Sequence, residues 1–249
     1  ACGVRLCGGE TLAADAVIFN GDVSALAEGR LGLAARGAAR ATPRPARSLS
    51  AVTMRMAARC GGFPLSHHSV FFAEDYREEF DAIFRRRTVC ADPTVYLCAQ
   101  DRPAAAGAPA SEGAERILML VNAPADGGGG AGPPSAEILD RGMAVLARCG
   151  LEVAVEASEI TDPAGFERLF PATGGALYGP ANHGPFASFA RRGARSRLAG
   201  LYLCGGSVHP GPGAPMAAMS GRIAAARCLS DLDGRRGAIA LPAPPARRG

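Results

Sequence analysis

Leu201-Tyr-Leu-Cys-Gly-Gly-Ser-Val-His-Pro-Gly-Pro-Gly-Ala-Pro-Met-Ala-Ala-Met-Ser220 decides how the rest of the chain is read. Leu201 to Cys204 is a short apolar run of the kind that forms a buried strand. It stops at Gly205 and Gly206, where a missing Cβ permits unusual backbone angles and close approach of another group. Pro210-Gly-Pro-Gly213 follows, with proline fixing φ and glycine supplying the bends. Pro215 suits the first turn of a helix, and Met216 to Leu229 is Ala-rich with apolar residues at helical spacing. Strand, glycine loop and helix start together present backbone N–H groups and a positive dipole end, a setting for an anionic or electron-rich ligand. An ordinary strand-to-helix connection would use the same pieces. No Gly-Lys-Ser/Thr occurs, so this is not a Walker phosphate loop.

Working outward, 249 residues with 48% hydrophobic content can bury a substantial core in one or two domains. The sequence begins at Ala1 in what reads as mid-strand, as a fragment of a larger protein would. No apolar run approaches the roughly 18–20 residues of a spanning helix, so any membrane contact is expected to be peripheral. Net charge is +4 and every basic residue is Arg, which excludes Schiff-base chemistry and covalent pyridoxal phosphate in this chain. Aromatics are only 6% and do not interleave with Arg, which argues against nucleic acid as a partner. None of the eight cysteines forms Cys-x-x-Cys, and most sit in apolar runs, so they read as small buried hydrophobes in a reducing cytoplasm. His67-His68 lacks companions at zinc-like spacing, and no metal is expected.

Val4 to Asn20 reads as a hairpin turning at Gly8-Gly9, its second strand Ala16 to Phe19, with Asp22 capping a helix at Val23. Arg30 to Arg59 carries seven Arg and no acid, and Pro43 and Pro45 make its middle loop-like. Leu65 to Phe72 is a strand candidate, and Asp75 caps a helix with Tyr76, Phe80, Ile83 and Phe84 on one face and Arg77, Glu78, Glu79 and Asp81 outside. Tyr96 to Cys98 and Ile117 to Val121 read as paired strands around a low-complexity loop, Arg102 to Gly113. Asp126 to Pro134 is a flexible linker. Ile138 to Leu146 is an amphipathic helix with Gly150 past its end, Leu151 to Val155 a strand, and Thr161-Asp162-Pro163 the start of another helix. Because Ala16–Phe19 and Leu201–Cys204 both lack alternation, they are expected to lie in one sheet covered on both faces.

Gly205-Gly-Ser-Val-His-Pro-Gly-Pro-Gly-Ala-Pro215, with Ser220-Gly221, resembles the C-terminal flavin motif of phytoene-desaturase-type carotenoid oxidoreductases. His67-His-x-Val-Phe-Phe72, Asp75-Tyr76 and Asp92-Pro-Thr-Val-Tyr96 resemble the family's substrate domain. Phe170-Pro-Ala-Thr-Gly-Gly-Ala-Leu-Tyr178, Asn122-Ala-Pro124 and Gly213-Ala-Pro-Met216 look most like the branch of 1-hydroxycarotenoid 3,4-desaturases, also called methoxyneurosporene desaturases. The similarity runs over nearly all of Val4 to Leu229.

The resemblance implies an α/β fold with an α+β second lobe. This would be the C-terminal part of a two-domain FAD oxidoreductase of the Rossmann-like, glutathione-reductase type. No Gly-x-Gly-x-x-Gly is read as following a strand, so the ADP-cradling half is expected upstream of Ala1. The implied domains are 1–26 and 198–232 for FAD binding, 27–197 for substrate, and 233–249 as a flexible tail. The implied activity is FAD-dependent desaturation of an acyclic carotenoid by a cytoplasmic enzyme peripheral to the inner membrane. Gly205, Gly206, Ser207, Gly213, Ala214, Pro215 and Met216 are the cofactor-side candidates. His209 is the one catalytic candidate, more plausibly a loop-fixing donor than a base, because an apolar substrate offers no acidic proton. Phe71, Phe72 and Tyr178 are the substrate candidates, with core packing as the plainer role. A flavin amine oxidase shares the architecture but usually carries an acidic residue where Ser207 stands. An inert piece without its own cofactor is the other alternative.

Overall fold

The computed structural model describes residues 1–103, 113–127, 129–130, 132–182, 186–187 and 189–239. The chain divides into two compact units, Ala1–Ala41 with Asn182–Gly249, and Thr42–Ala181. Both mix helix and strand.

In the first unit, β1 (Gly3–Arg5) and β2 (Thr11–Ala13) form the antiparallel hairpin around Gly8-Gly9. The hairpin partner is therefore Thr11–Ala13 and not Ala16–Phe19. The latter supplies β3 (Val17–Phe19), which lies parallel to β9 (Leu201–Leu203), as the shared lack of alternation predicts. Asp22 caps α1 (Val23–Ala27), accepting from Ser24 N–H at 2.8 Å. Val23, Leu26, Ala38, Ala39, Leu201, Leu203 and Val208 bury one another, while Ala194, Tyr202, Cys204, Ala224 and Cys228 make a second cluster. Ala38 and Ala194 explain why the boundaries fall at 41/42 and 181/182 instead of 26/27 and 197/198. The residues beyond the expected cuts pack on β9 and the last helix. That helix, α5 (numbered in chain order after the three of the second unit), runs Ala214–Ile239, so residues 233–239 of the expected tail are helical. Residues 240–249 of the tail lie outside the described residues.

The second unit is an antiparallel five-stranded sheet ordered β5-β6-β7-β4-β8. Its strands are β4 (Ser50–Gly61), β5 (His68–Phe71), β6 (Val95–Ala99), β7 (Glu115–Ala123) and β8 (Glu152–Thr161). β7 alternates, with Ile117, Met119 and Val121 buried and Arg116 exposed. The helices are α2 (Tyr76–Asp81), which continues as a π turn to Arg86, α3 (Ser135–Arg148) and α4 (Pro163–Leu169). Ile138, Leu139, Val145 and Leu146 of α3 pack on Val52, Met54, Leu97, Ile117, Met119 and Val121 of the sheet. Asp75 and Asp162 cap α2 and α4 as their positions predict.

Four expectations change here. Arg55 and Arg59 of the basic run belong to the long central strand β4, where, still solvent-exposed, they pair with Glu159 and Glu156 of the neighbouring β8. Glu79 is 1% exposed and turns inward, accepting from Thr94 N–H at 3.3 Å and the Asn122 amide at 3.1 Å. Cys2, Cys7 and Cys149 are exposed thiols, and all eight cysteines are free. Finally, Gly127 to Gly132 does spell Gly-x-Gly-x-x-Gly shortly after β7. However, β7 is antiparallel to both neighbours and Pro133-Pro134 precede α3, so the tight parallel strand-to-helix turn of a dinucleotide site is lacking there. Gly128 and Ala131 of this segment, and 104–112 of the other loop, lie outside the described residues.

Candidate functional site

The glycine loop after β9 is held from every side by groups that its backbone requires. Cys204 N–H continues the ladder to Phe19 O at 3.0 Å. Gly205 then turns at φ +103°, where a Cβ would stand 2.6 Å from Asn20 Oδ1, so only glycine fits. Its N–H donates at 3.1 Å to Ser220 Oγ, a fully buried hydroxyl on α5. Ser207 faces inward too, its Oγ accepting from Val23 N–H at 3.3 Å, and so joins the loop to the start of α1.

Arg191 is the residue that sequence reasoning missed. Its Nη1 donates to Gly206 O at 2.9 Å, while Nε and Nη2 hold Asn182 Oδ1 at 3.3 and 3.0 Å. Gly211, at φ +134°, passes so close that a Cβ there would sit 3.1 Å from Arg191 Nε. Burial pulls the guanidinium below its usual pKa, with Asp22 opposing. In sequence Arg191 is one of many arginines, and only the fold distinguishes it.

His209 N–H donates to Arg192 O at 2.7 Å, and its ring lies 6.1 Å from that of Phe189. That bond is made by the backbone and is independent of the imidazole. Beyond it the loop opens outward. Gly213 takes φ +101° with no atom within 4 Å of where a Cβ would be, and Gly213, Ala214, Pro215 and Met216 are all exposed. The helix of 26 residues that starts here thus presents its N-terminal turn to whatever covers it. The space directly beyond Gly213 is open to the close approach of a flat group. The residues fit the ring end of a flavin.

The substrate candidates lie in the second unit and do not form one group. Phe71 is 6% exposed inside the core, tilted against Phe63 at 5.1 Å, so packing is its observed role. Phe72 is 65% exposed and heads a ladder of rings, Phe72–Tyr76–Phe80–Phe84, at 5.9, 4.9 and 6.1 Å. Tyr178 is exposed, its N–H anchored to Ser48 Oγ at 3.0 Å. Cys98 lies beside His67 and His68, companions the spacing along the chain did not reveal.

Compared with known proteins, residues 1–229 match the model of the flavin-containing amine oxidoreductases. The chain belongs to that family. Hydroxyneurosporene desaturase of Rubrivivax gelatinosus is 54% identical over 239 residues, 94% of this chain and 45% of that protein. Hydroxyneurosporene desaturase of Cereibacter sphaeroides is 44% identical, over 94% of this chain and 47% of that protein. The 1-hydroxycarotenoid 3,4-desaturase of a Flavobacterium species is 33% identical over 66% of this chain and 34% of that protein. The chain therefore spans about half the length of the curated relatives it matches. FAD is the cofactor that membership of this family implies.

Proposed function

We propose that the protein desaturates an acyclic, 1-hydroxylated carotenoid, with this chain supplying the ring-side half of an FAD site and a polyene-contacting unit. The observation that carries the reading is the exposed helix start at Gly213–Met216, set behind a loop whose every turn is pinned. Similarity to proteins named hydroxyneurosporene desaturase supports the substrate class.

When bound, FAD supplies a two-electron acceptor for hydride from one polyene carbon, the paired proton leaving separately. The chain's own residues arrange rather than react. Gly213 allows close approach, and the N-terminal dipole of α5 favours negative charge on a group stacked over it. Arg191 and Ser220 hold Gly206 and Gly205 fixed, which keeps alignment within the tolerance such chemistry needs. Met216 and Met219, both exposed, offer polarizable apolar surface to a polyene. His209 orders the loop through Arg192 O. The Gly127–Gly132 run follows a strand antiparallel to both its neighbours and does not suit the pyrophosphate end of the cofactor, so residues outside this sequence are proposed to hold it.

The full-length protein, expressed in cells that accumulate 1-hydroxyneurosporene, should lengthen that carotenoid's conjugated system by one double bond, read as a red-shifted absorption in chromatography. Unchanged carotenoid alongside a flavin-loaded enzyme that oxidises an amine instead would replace this reading with the amine-oxidase one.

A cytoplasmic, peripheral membrane location is proposed with it. Leu31 and Leu33 are exposed in the first unit, flanked by exposed Arg30, Arg36 and Arg40. Apolar tips among basic residues suit an anionic lipid interface, each cation contributing on the order of 1 kcal/mol near the surface. No helix among the described residues is long and apolar enough to cross a membrane.

A further inference from the structure

His68 opens β5, the edge strand of the second unit's sheet, with His67 immediately before it, and Cys98 lies on β6. The antiparallel register sets His68 directly opposite Cys98, so the two side chains project from the same face. One donor atom from each of His67, His68 and Cys98 falls within 4.8 Å of the other two. His67 Nε2 is 3.8 Å from Cys98 Sγ, against about 3.6 Å for a nitrogen and a sulfur sharing one tetrahedral zinc ion.

The orientation of His67 is built, not incidental. Its Nδ1 sits 2.7 Å from Arg102 O, a partner that can only accept, so Nδ1 carries the proton and Nε2 turns its lone pair toward Cys98. Arg102 is itself fixed, with Nη1 donating to Leu65 O at 2.9 Å and the guanidinium in a buried salt bridge with Glu115. The His68 ring stands edge-on to His67 at 4.5 Å, and its Nδ1 meets the Tyr96 hydroxyl at 2.8 Å. A backbone carbonyl behind a ligating histidine is the usual support of a metal site.

We propose that His67, His68 and Cys98 bind a thiophilic d10 cation of the Zn2+ type, with the fourth position open to solvent. Two imidazoles and a thiolate are the donor set such ions prefer over hard oxygen-seeking ones. On binding, the Cys98 thiol gives its proton to solvent as the metal–sulfur bond forms, and no oxidation state changes. The ion would tie the short edge strand β5 to β6 through side chains as well as through the ladder. This claim is independent of the flavin chemistry, and its readout does not involve turnover.

The test is titration of chelator-treated, flavin-containing protein with Co2+, the cobalt d–d bands being followed in the red, where flavin does not absorb, and the thiolate band as a near-ultraviolet difference from the spectrum before addition. One equivalent should give tetrahedral cobalt bands and a thiolate charge-transfer band, both removed by Zn2+. Cys98→Ser should lose the thiolate band and weaken Zn2+ binding about tenfold or more, as should His67→Gln. Cys149→Ser, which removes an exposed thiol after α3, should change nothing. Cys98 is only half buried, so serine should leave the metal-free melting temperature unchanged. If it does not, His68→Gln at an exposed position should still weaken Zn2+ binding about tenfold or more, and unchanged Zn2+ affinity in that variant would count against the site. A wild-type protein with no thiolate band, or a folded Cys98→Ser variant that keeps it, overturns the proposal.

Discussion

Gly213 and His209 belong to one loop, yet substitution should affect them very differently. Gly213 holds φ +101° with open space beyond its missing Cβ. Valine there would strain the backbone and occupy the space the cofactor ring is proposed to use. His209 is proposed as a loop-fixing donor, and glutamine keeps a side-chain N–H although it cannot titrate near neutrality. In the full-length protein, Gly213→Val should lower turnover by at least about a hundredfold while the fold survives a strain of about 1–3 kcal/mol, since a 1 Å misplacement alone can cost that much. His209→Gln should retain most activity. The reverse ranking, measured in flavin-loaded protein, would make the histidine a proton-transfer group and the loop's geometry secondary. The turns of the loop were readable because Gly205, Gly213 and Pro215 declare their backbone constraints in the sequence. Ser207 was legible as part of the loop, but its contact with Val23 N–H joins residues far apart in the chain. The same distance hid Arg191, whose partners Asn182 and Gly206 give it meaning only once folded.

Elements were legible where periodicity and caps agreed. The helices starting after Asp75 and Asp162, the β6–β7 pair and the β3–β9 pair all follow from such signals. β4 was not, because the basic run is read as loop-like at Pro43 and Pro45, and no strand was read in its later part, which holds Arg55 and Arg59. Their charges are balanced by Glu159 and Glu156, which lie about a hundred residues away. Glu79 failed in the opposite sense, since a carboxylate on a helix reads as surface until Thr94 and Asn122 are seen to satisfy it. The contact of α3 with the sheet depends on another residue that sequence did not single out. At Gly142 a Cβ would lie 2.3 Å from Met119 Cε and 3.1 Å from Val121 Cγ2. Gly142→Ala gains up to about 1 kcal/mol of helix propensity, while crowding a fully buried methionine removes a similar amount. It should be close to neutral. Gly142→Val has less propensity to gain and two more methyls to place, so it should destabilise by about 1–3 kcal/mol in urea unfolding. Equal stability of Gly142→Val and wild type would show that α3 stands further from the sheet than these distances say.

At the scale of the whole molecule, the exposed features are the ones that composition cannot interpret. Leu31 and Leu33 with Arg30, Arg36 and Arg40 should give binding to anionic vesicles that salt weakens, measured by co-sedimentation. Leu33→Ser should reduce that binding, and equal binding to neutral and anionic vesicles would remove the basic residues from the account. The two compact units differ in what they present: a glycine loop and open helix start in one, a sheet and a ladder of rings exposed at Phe72 and Tyr76 in the other. Whether they serve one reaction is answered most directly by mixing flavin-loaded full-length protein with 1-hydroxyneurosporene under anaerobic conditions and recording a single turnover. The account predicts that oxidised-flavin absorbance bleaches as the carotenoid bands shift to the red, with equal amounts of each converted. A carotenoid that shifts while the flavin stays oxidised, or a flavin that no carotenoid bleaches, would contradict it.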